Sequence, residues 1–244
     1  MAHIKALSTK RIDPSLKREA MQKGIEITDK EFICIRPVQT PAKKEAVLQW
    51  AKNAEGLAVI FTSSNAVENT VTEFNSPGNR DILPSWKIFC LDGATKKTVL
   101  ADFPGSRIIS TAAHATALAD KIIEQDTYKK LVFFCGNKRR DELPAQLKRN
   151  GIEVIEVVVY ETIETPVSIN EYFDAVLFFS PLAAGSFFSL NSIAEKTVCF
   201  AVGATTAKAI SGHTANPVIT SKTPDQEALI NSVNLYFQTF NRSE

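Results

Sequence analysis

Short apolar runs alternate along the chain with stretches in which apolar residues recur at helical spacing. The runs predict strands at Ile4–Leu7, Phe32–Ile35, Leu57–Phe61, Trp86–Leu91, Arg107–Ser110, Leu131–Cys135, Ile152–Tyr160, Ala175–Phe179, Val198–Val202 and Val218–Thr220. A helix is expected to open at Asp13-Pro14, with Leu16, Ala20 and Met21 inward and Gly24 as its stop. Another spans Ala42 to Asn53; later ones end at Phe74, Leu100, Ile123, Asn150-Gly151, Leu190 and Ile210, and a last covers Asp225 to Phe237. Thr28 to Glu31 reads as a polar break. Tyr160 falls where regular structure is expected to give out, before Glu161-Thr162-Ile163-Glu164-Thr165-Pro166. Strands that alternate with helices of about ten residues predict parallel sheets faced by helices.

The later units repeat the earlier ones. Phe61, Ser63 and Ala66 recur as Phe178, Ser180 and Ala183, and Gly93-Ala94-Thr95 recurs as Gly203-Ala204-Thr205. Ser110 with Ala117-Leu118 recurs as Ser221 with Ala228-Leu229. The unit holding Leu143, Leu147 and Gly151-Ile152-Glu153 finds its echo at the opposite end, in Leu16, Ala20 and Gly24-Ile25-Glu26. A permuted duplication accounts for this order. The expected fold is α/β, two doubly wound parallel-sheet lobes with one inserted into the other. Residues 1–36 plus 168–244 make the first lobe, 42–158 the inserted lobe, and 37–41 with 159–167 the extended linkers.

Composition narrows the function classes. Lys and Arg number 28 against 27 Asp and Glu, a net charge of +1, so no general field draws nucleic acid or anionic lipid. No run approaches the roughly 18 apolar residues of a membrane helix, and no leader pattern opens the chain, so a cytoplasmic protein is expected. Cys34, Cys90, Cys135 and Cys199 each sit in an apolar strand run, none at metal-ligand spacing, and read as reduced buried thiols.

The candidate chemistry lies in the strand-to-helix turns, because ligands of open parallel sheets bind at the carboxyl ends of the strands. Here those turns carry Ser, Thr, Gly and Asn, residues that also serve simply as helix caps. Several helix N-termini facing one cleft suit a large, flexible ligand with many carboxylates. In the turn Gly136-Asn137-Lys138-Arg139-Arg140 the basic residues crowd a helix start, which disfavours cations unless an anion answers them. Asp141 and Glu142 answer in part. The loop is then either an anion cradle or a solvated basic loop. No Gly-x-Ser-x-Gly elbow, Walker A loop or Gly-x-Gly-x-x-Gly is found, against esterase, nucleotidase and dinucleotide chemistry. His114 reads as a polar rim residue. Tyr160 is the best acid candidate, since an ordinary phenol near pKa 10 stays protonated at neutral pH; position alone favours a half-buried linker aromatic instead.

The set Phe61-Thr62-Ser63-Ser64-Asn65-Ala66-Val67, Gly93-x-Thr95, Cys135-Gly136-Asn137-x-x-Arg140 with Leu143-Pro144, Val159-Tyr160, Phe179-Ser180-Pro181, Gly203-x-Thr205 and Thr223-Pro224 resembles the uroporphyrinogen-III synthase family. The resemblance implies dehydrative cyclisation of hydroxymethylbilane, a linear tetrapyrrole with eight carboxylates, with ring D inverted through a spiro intermediate. It implies no cofactor and no metal. Tyr160 matches the tyrosine that assists hydroxyl departure. Ser63, Thr95, Asn137, Arg140, Ser180, Thr205 and Thr223 match substrate-contacting turns, with Ser64, Asn65, Gly93, Thr111 and Gly136 beside them. Thr9-Lys10-Arg11 departs from the family's Thr-Arg-Pro, and Ala113-His114 from its Gly-Asn. A monomer is expected, with no nucleic-acid or membrane partner. The alternative is a two-lobed protein that binds a polycarboxylate without chemistry.

Overall fold

The apolar runs become two sheets, parallel except where β3 joins β8, in the computed structural model, which describes residues 3–52, 58–75 and 84–240. The predicted helix end at Asn53 and strand start at Leu57 lie outside the described residues. In chain order the elements begin β1 (Ile4–Ser8), α1 (Pro14–Gln22), β2 (Ile25–Asp29), β3 (Ile33–Pro37) and α2 (Pro41–Lys52). Next come β4 (Ala58–Phe61), α3 (Ser64–Phe74), β5 (Lys87–Leu91), α4 (Ala94–Asp102), β6 (Arg107–Ala112), α5 (Ala115–Glu124), β7 (Lys130–Gly136), α6 (Glu142–Arg149) and β8 (Glu153–Glu164). The rest are β9 (Ala175–Phe178), α7 (Pro181–Phe188), β10 (Val198–Ala201), α8 (Ala204–Ser211), β11 (Val218–Thr220) and α9 (Gln226–Phe240).

One sheet has the order β11-β10-β9-β1-β2, the other β3-β8-β7-β4-β5-β6. The chain divides into two compact units, Met1–Cys34 with Ile163–Glu244, and Ile35–Thr162 between them in sequence. The run β4-α3-β5-α4-β6-α5-β7-α6-β8 of the inserted unit has the same arrangement as β9-α7-β10-α8-β11-α9-β1-α1-β2 of the other. That is the topology a permuted duplication requires. Gly24 and Gly151, which close the equivalent helices α1 and α6, adopt the left-handed region at φ 80° and 75°, where a side chain would be strained.

A parallel strand pair needs a right-handed crossover, so moving outward in opposite directions from a central pair puts the connecting helices on opposite faces. In the inserted unit Val67, Phe74 and Val99 of α3 and α4 cover one face, over Phe61, Trp86 and Phe134. Leu118, Ile122, Leu143 and Leu147 of α5 and α6 cover the other, over Ile60, Phe89 and Phe133. Phe61 and Phe134 stack at 5.4 Å, and the buried Trp86 satisfies its indole by donating to the Trp50 carbonyl at 3.0 Å. Burying each of those rings contributes about 1.5–3 kcal/mol, which makes this side of the sheet a firm base for the turns above it. The change of direction lies between β4 and β7, whose following loops therefore part to opposite faces and leave a crevice at the strand ends.

Several local expectations need correction. Ile25–Asp29 is a strand, β2, paired with β1 where a polar break is predicted from Thr28; its alternation of Ile25 and Ile27 with polar residues suits a sheet edge. Regular structure does not stop at Tyr160: β8 continues through Glu164, with β3 as its neighbour, and the boundary between units falls inside both strands. Met21 is 51% exposed, so α1 turns Ala20 and Leu16 inward without it.

Cys34 is also misjudged. It lies exposed in β3, whereas Cys90, Cys135 and Cys199 are buried, and all four are free. Burial pushes the Cys90 and Cys135 thiols up to about 11 and Cys199 to about 12, so almost none of the reactive thiolate exists near neutral pH. Iodoacetamide at pH 7.5 is therefore expected to label Cys34 alone in the native protein, the others only after denaturation. Peptide mass spectrometry reads this directly, and native labelling of Cys135 as fast as Cys34 would contradict it.

Candidate functional site

The crevice between β4 and β7 is a pocket of about 350 Å³. Thr62 and Ser63 after β4, Ala113 to Thr116 after β6, Gly136 at the end of β7, and Arg139 and Arg140 after it line it, together with Tyr160 of β8. All these strands run parallel, so their carboxyl ends share one edge of the sheet.

Ser63 is extended at φ −151° and caps α3, its Oγ accepting from the Asn65 N–H at 3.2 Å. The same Oγ receives the Tyr160 hydroxyl at 3.3 Å, which joins the two ends of the crevice. A register shift delivers the tyrosine. Cys135 stands opposite Val158 but Gly136 opposite Tyr160, so β8 carries an extra residue there, Val159, which is buried in the core. Asn137 pins β8 just beyond this point: its N–H donates to the Tyr160 carbonyl at 3.2 Å and its side-chain oxygen accepts from the Thr162 N–H at 2.8 Å. The ring then lies directly over Gly136, where a methyl group would meet Tyr160 Cζ at 2.5 Å. Glycine at this position is a matter of space.

The basic loop resolves into unequal residues. The Arg139 guanidinium forms ion pairs with Asp141 and with Glu156 of β8, while Lys148 of α6 reaches the other oxygen of Glu156 at 3.3 Å. Burial alone would lower the pKa of Arg139, but its hydrogen bonds to Asp141 and Glu156 hold it above the ordinary value. Arg140 is exposed in the pocket wall and has no carboxylate within ion-pair distance among the described residues.

Of the residues singled out in the sequence, the pocket brings together Ser63, Gly136, Arg140 and Tyr160. Ser64 and Asn65 form the first turn of α3, Gly93 opens α4 at φ 72°, Thr95 is buried within α4, and Thr111 sits in β6 with its carbonyl accepting from Lys121. None of these lines the pocket, and Asn137 commits its side-chain oxygen to backbone. In the other unit Ser180 caps α7 by accepting from Ala183 N–H at 3.1 Å, Thr205 is exposed in the first turn of α8, and Thr223 is exposed after β11. Arg139, a member of the basic turn read as a possible anion cradle, also lines the pocket, as do Thr62 and Thr116, which the sequence reading does not assign to the site; Thr62 directly follows β4 and Thr116 lies in the first turn of α5. His114 does reach the pocket rim as an exposed N-cap of α5 whose side chain makes no capping bond.

Comparison with known proteins gives this geometry its family. A family model for uroporphyrinogen-III synthase HemD matches residues 15–231. The chain belongs to that family. Members of the uroporphyrinogen-III synthase family are cyclising lyases of haem biosynthesis that act on a tetrapyrrole. Among solved structures, uroporphyrinogen-III synthetase from Helicobacter pylori is similar with a TM-score of 0.68 at 17% identity, covering 97% of this chain and 100% of that one. A mutant uroporphyrinogen III synthase from Thermus thermophilus is similar with a TM-score of 0.65 at 13% identity, covering 99% and 100%. At such identities the likeness speaks for the two-lobed α/β fold. No curated protein matches the chain. Among the described residues no helix is long and apolar enough to cross a membrane, and no cluster of His, Cys, Asp or Glu is arranged to hold a metal ion.

Proposed function

We propose that the pocket at the β4–β7 crevice receives the hydroxymethyl end of hydroxymethylbilane, with Tyr160 as the general acid. The Tyr160 phenol gives its proton to the departing hydroxyl, water leaves, and a pyrrole nitrogen supplies the electrons that expel it. When the macrocycle closes and the ring regains its aromaticity, the carbon proton released returns to the phenolate, so the tyrosine ends as it began. Arg140 pairs with a substrate carboxylate, and the helix N-termini at Ser63 and Gly93 of the same unit offer N–H groups to others; Ser180 is proposed as a substrate contact of its own unit. Ser64, Asn65, Thr95, Thr111, Asn137, Thr205 and Thr223 belong to the same proposal as residues that shape or line the path of the chain.

The observation that supports this reading is the meeting of Tyr160 and Ser63 across the one crevice that the strand order of this sheet opens, with an uncommitted guanidinium in its wall. A hydroxyl held only by a 3.3 Å bond is free to turn to a substrate oxygen. The rest of the task is geometric: holding the chain so that closure without inversion is out of reach. Action as a monomer in the cytoplasm is part of the proposal, and four unpaired thiols suit a reducing compartment. Purified protein given freshly generated hydroxymethylbilane is expected to yield the type III isomer. Formation of the type I isomer alone would sink the proposal.

A further inference from the structure

The sequence presents Arg139 and Arg140 as neighbours of equal standing, and the structure gives them opposite circumstances. Arg139 is three-quarters covered, its side chain 24% exposed, and is gripped from both sides by Asp141 and by Glu156. Glu156 is itself 22% exposed and also holds Lys148 at 3.3 Å. Taken together these side chains carry two positive and two negative charges, a locally balanced set at the pocket wall. Arg140, in the same wall, has none of these partners.

We infer that Glu156 is a positioning residue for the cyclisation: by clamping and neutralising Arg139 it leaves Arg140 as the cation that takes a substrate carboxylate. The inference rests on the reading of this pocket as the substrate site. Its physical basis is that a carboxylated ligand responds to uncommitted charge, and two adjacent free guanidinium groups would offer it two registers instead of one. Glu156 makes no contact with the reacting atoms in this account. It sits on β8, four residues before Tyr160, so the strand that supplies the proposed acid also sets which arginine is free. The same clamp draws the β7 loop toward β8.

Steady-state kinetics on the full chain with hydroxymethylbilane test this, using Glu156→Gln, Arg140→Gln and the double variant Arg139→Gln/Glu156→Gln. Glu156→Gln leaves that set with one uncompensated positive charge and Arg139 held from one side only, so KM is expected to fall about three- to tenfold, to rise more steeply with added NaCl than in the parent, and kcat to fall alongside. The double variant removes both members of the pair and is expected to bring KM back to within about twofold of the parent. Arg140→Gln is expected to raise KM about tenfold. A merely structural Glu156 would lower the unfolding temperature without lowering KM, and an unchanged or raised KM in Glu156→Gln would overturn the inference. Should that variant not fold, the double variant decides: a KM raised as far as in Arg140→Gln overturns the inference too. An Arg140→Gln protein with parental KM overturns the site reading itself, and the inference with it.

Discussion

Tyr160→Phe is expected to cut the rate of type III formation about a hundredfold while the protein stays folded. The substitution removes one hydroxyl and leaves the ring, which packs against the core face built on Phe61 and Phe134, in place. The folded state loses only the 3.3 Å bond to Ser63, about 1 kcal/mol or less. Turnover loses a proton donor aimed into the crevice. Because hydroxymethylbilane closes unaided to the type I isomer, the product mixture should shift toward type I as the catalysed route slows. Initial rates with isomer analysis of the product, beside a thermal unfolding curve, separate the two effects. Parental turnover in the variant would remove Tyr160 from the acid role.

Gly136→Ala should do comparable harm from the other side of the same contact. An added Cβ would stand 2.5 Å from Tyr160 Cζ, 2.6 Å from Cε2 and 2.8 Å from the hydroxyl, so something must move. The backbone of Tyr160 is held by Asn137 N–H and by the register shift that places it opposite Gly136, so the ring is the part that gives. Swinging the ring aside breaks the bond to Ser63 and takes the phenol away from the crevice. Overpacking of this kind costs about 1–3 kcal/mol in stability, with a turnover loss near that of Tyr160→Phe. Since both changes disable the same hydroxyl, Gly136→Ala/Tyr160→Phe is expected to turn over no more slowly than the worse single variant. Full activity in Gly136→Ala would show that the position of the ring is immaterial.

Much of this architecture was legible before any coordinates. Gly24 and Gly151 mark equivalent helix ends, and Ser63 and Ser180 cap equivalent helices, because such residues answer to purely local backbone demands. The duplication could therefore be read from short matches. Illegible were the features that depend on a neighbouring strand. The end of β2, Thr28 and Asp29, reads as the start of a polar break because an edge strand buries one face only. The polar tail of β8, Glu161 to Glu164, reads in sequence as an extended linker with no partner, because its pairing with β3 joins residues more than a hundred positions apart. Cys34 shared the apolar setting of the other cysteines, yet β3 lies at the margin of its sheet and leaves it exposed.

At the site the division is the same. Periodicity and turn chemistry, which act within a few residues of each other, were enough to establish strand-turn-helix units, their repetition and a set of hydroxyl-rich turns. Which of those turns meet was decided by strand order: the reversal between β4 and β7 puts Ser63 beside Gly136 and Tyr160, and leaves Gly93, Thr95 and Thr111 out of the pocket. Only the folded chain could tell Arg139 from Arg140, since the residue that distinguishes them, Glu156, arrives from another strand. Local forces choose the elements, but contact between distant elements is paid for in chain entropy and granted by the whole core at once, so no short stretch of sequence records it.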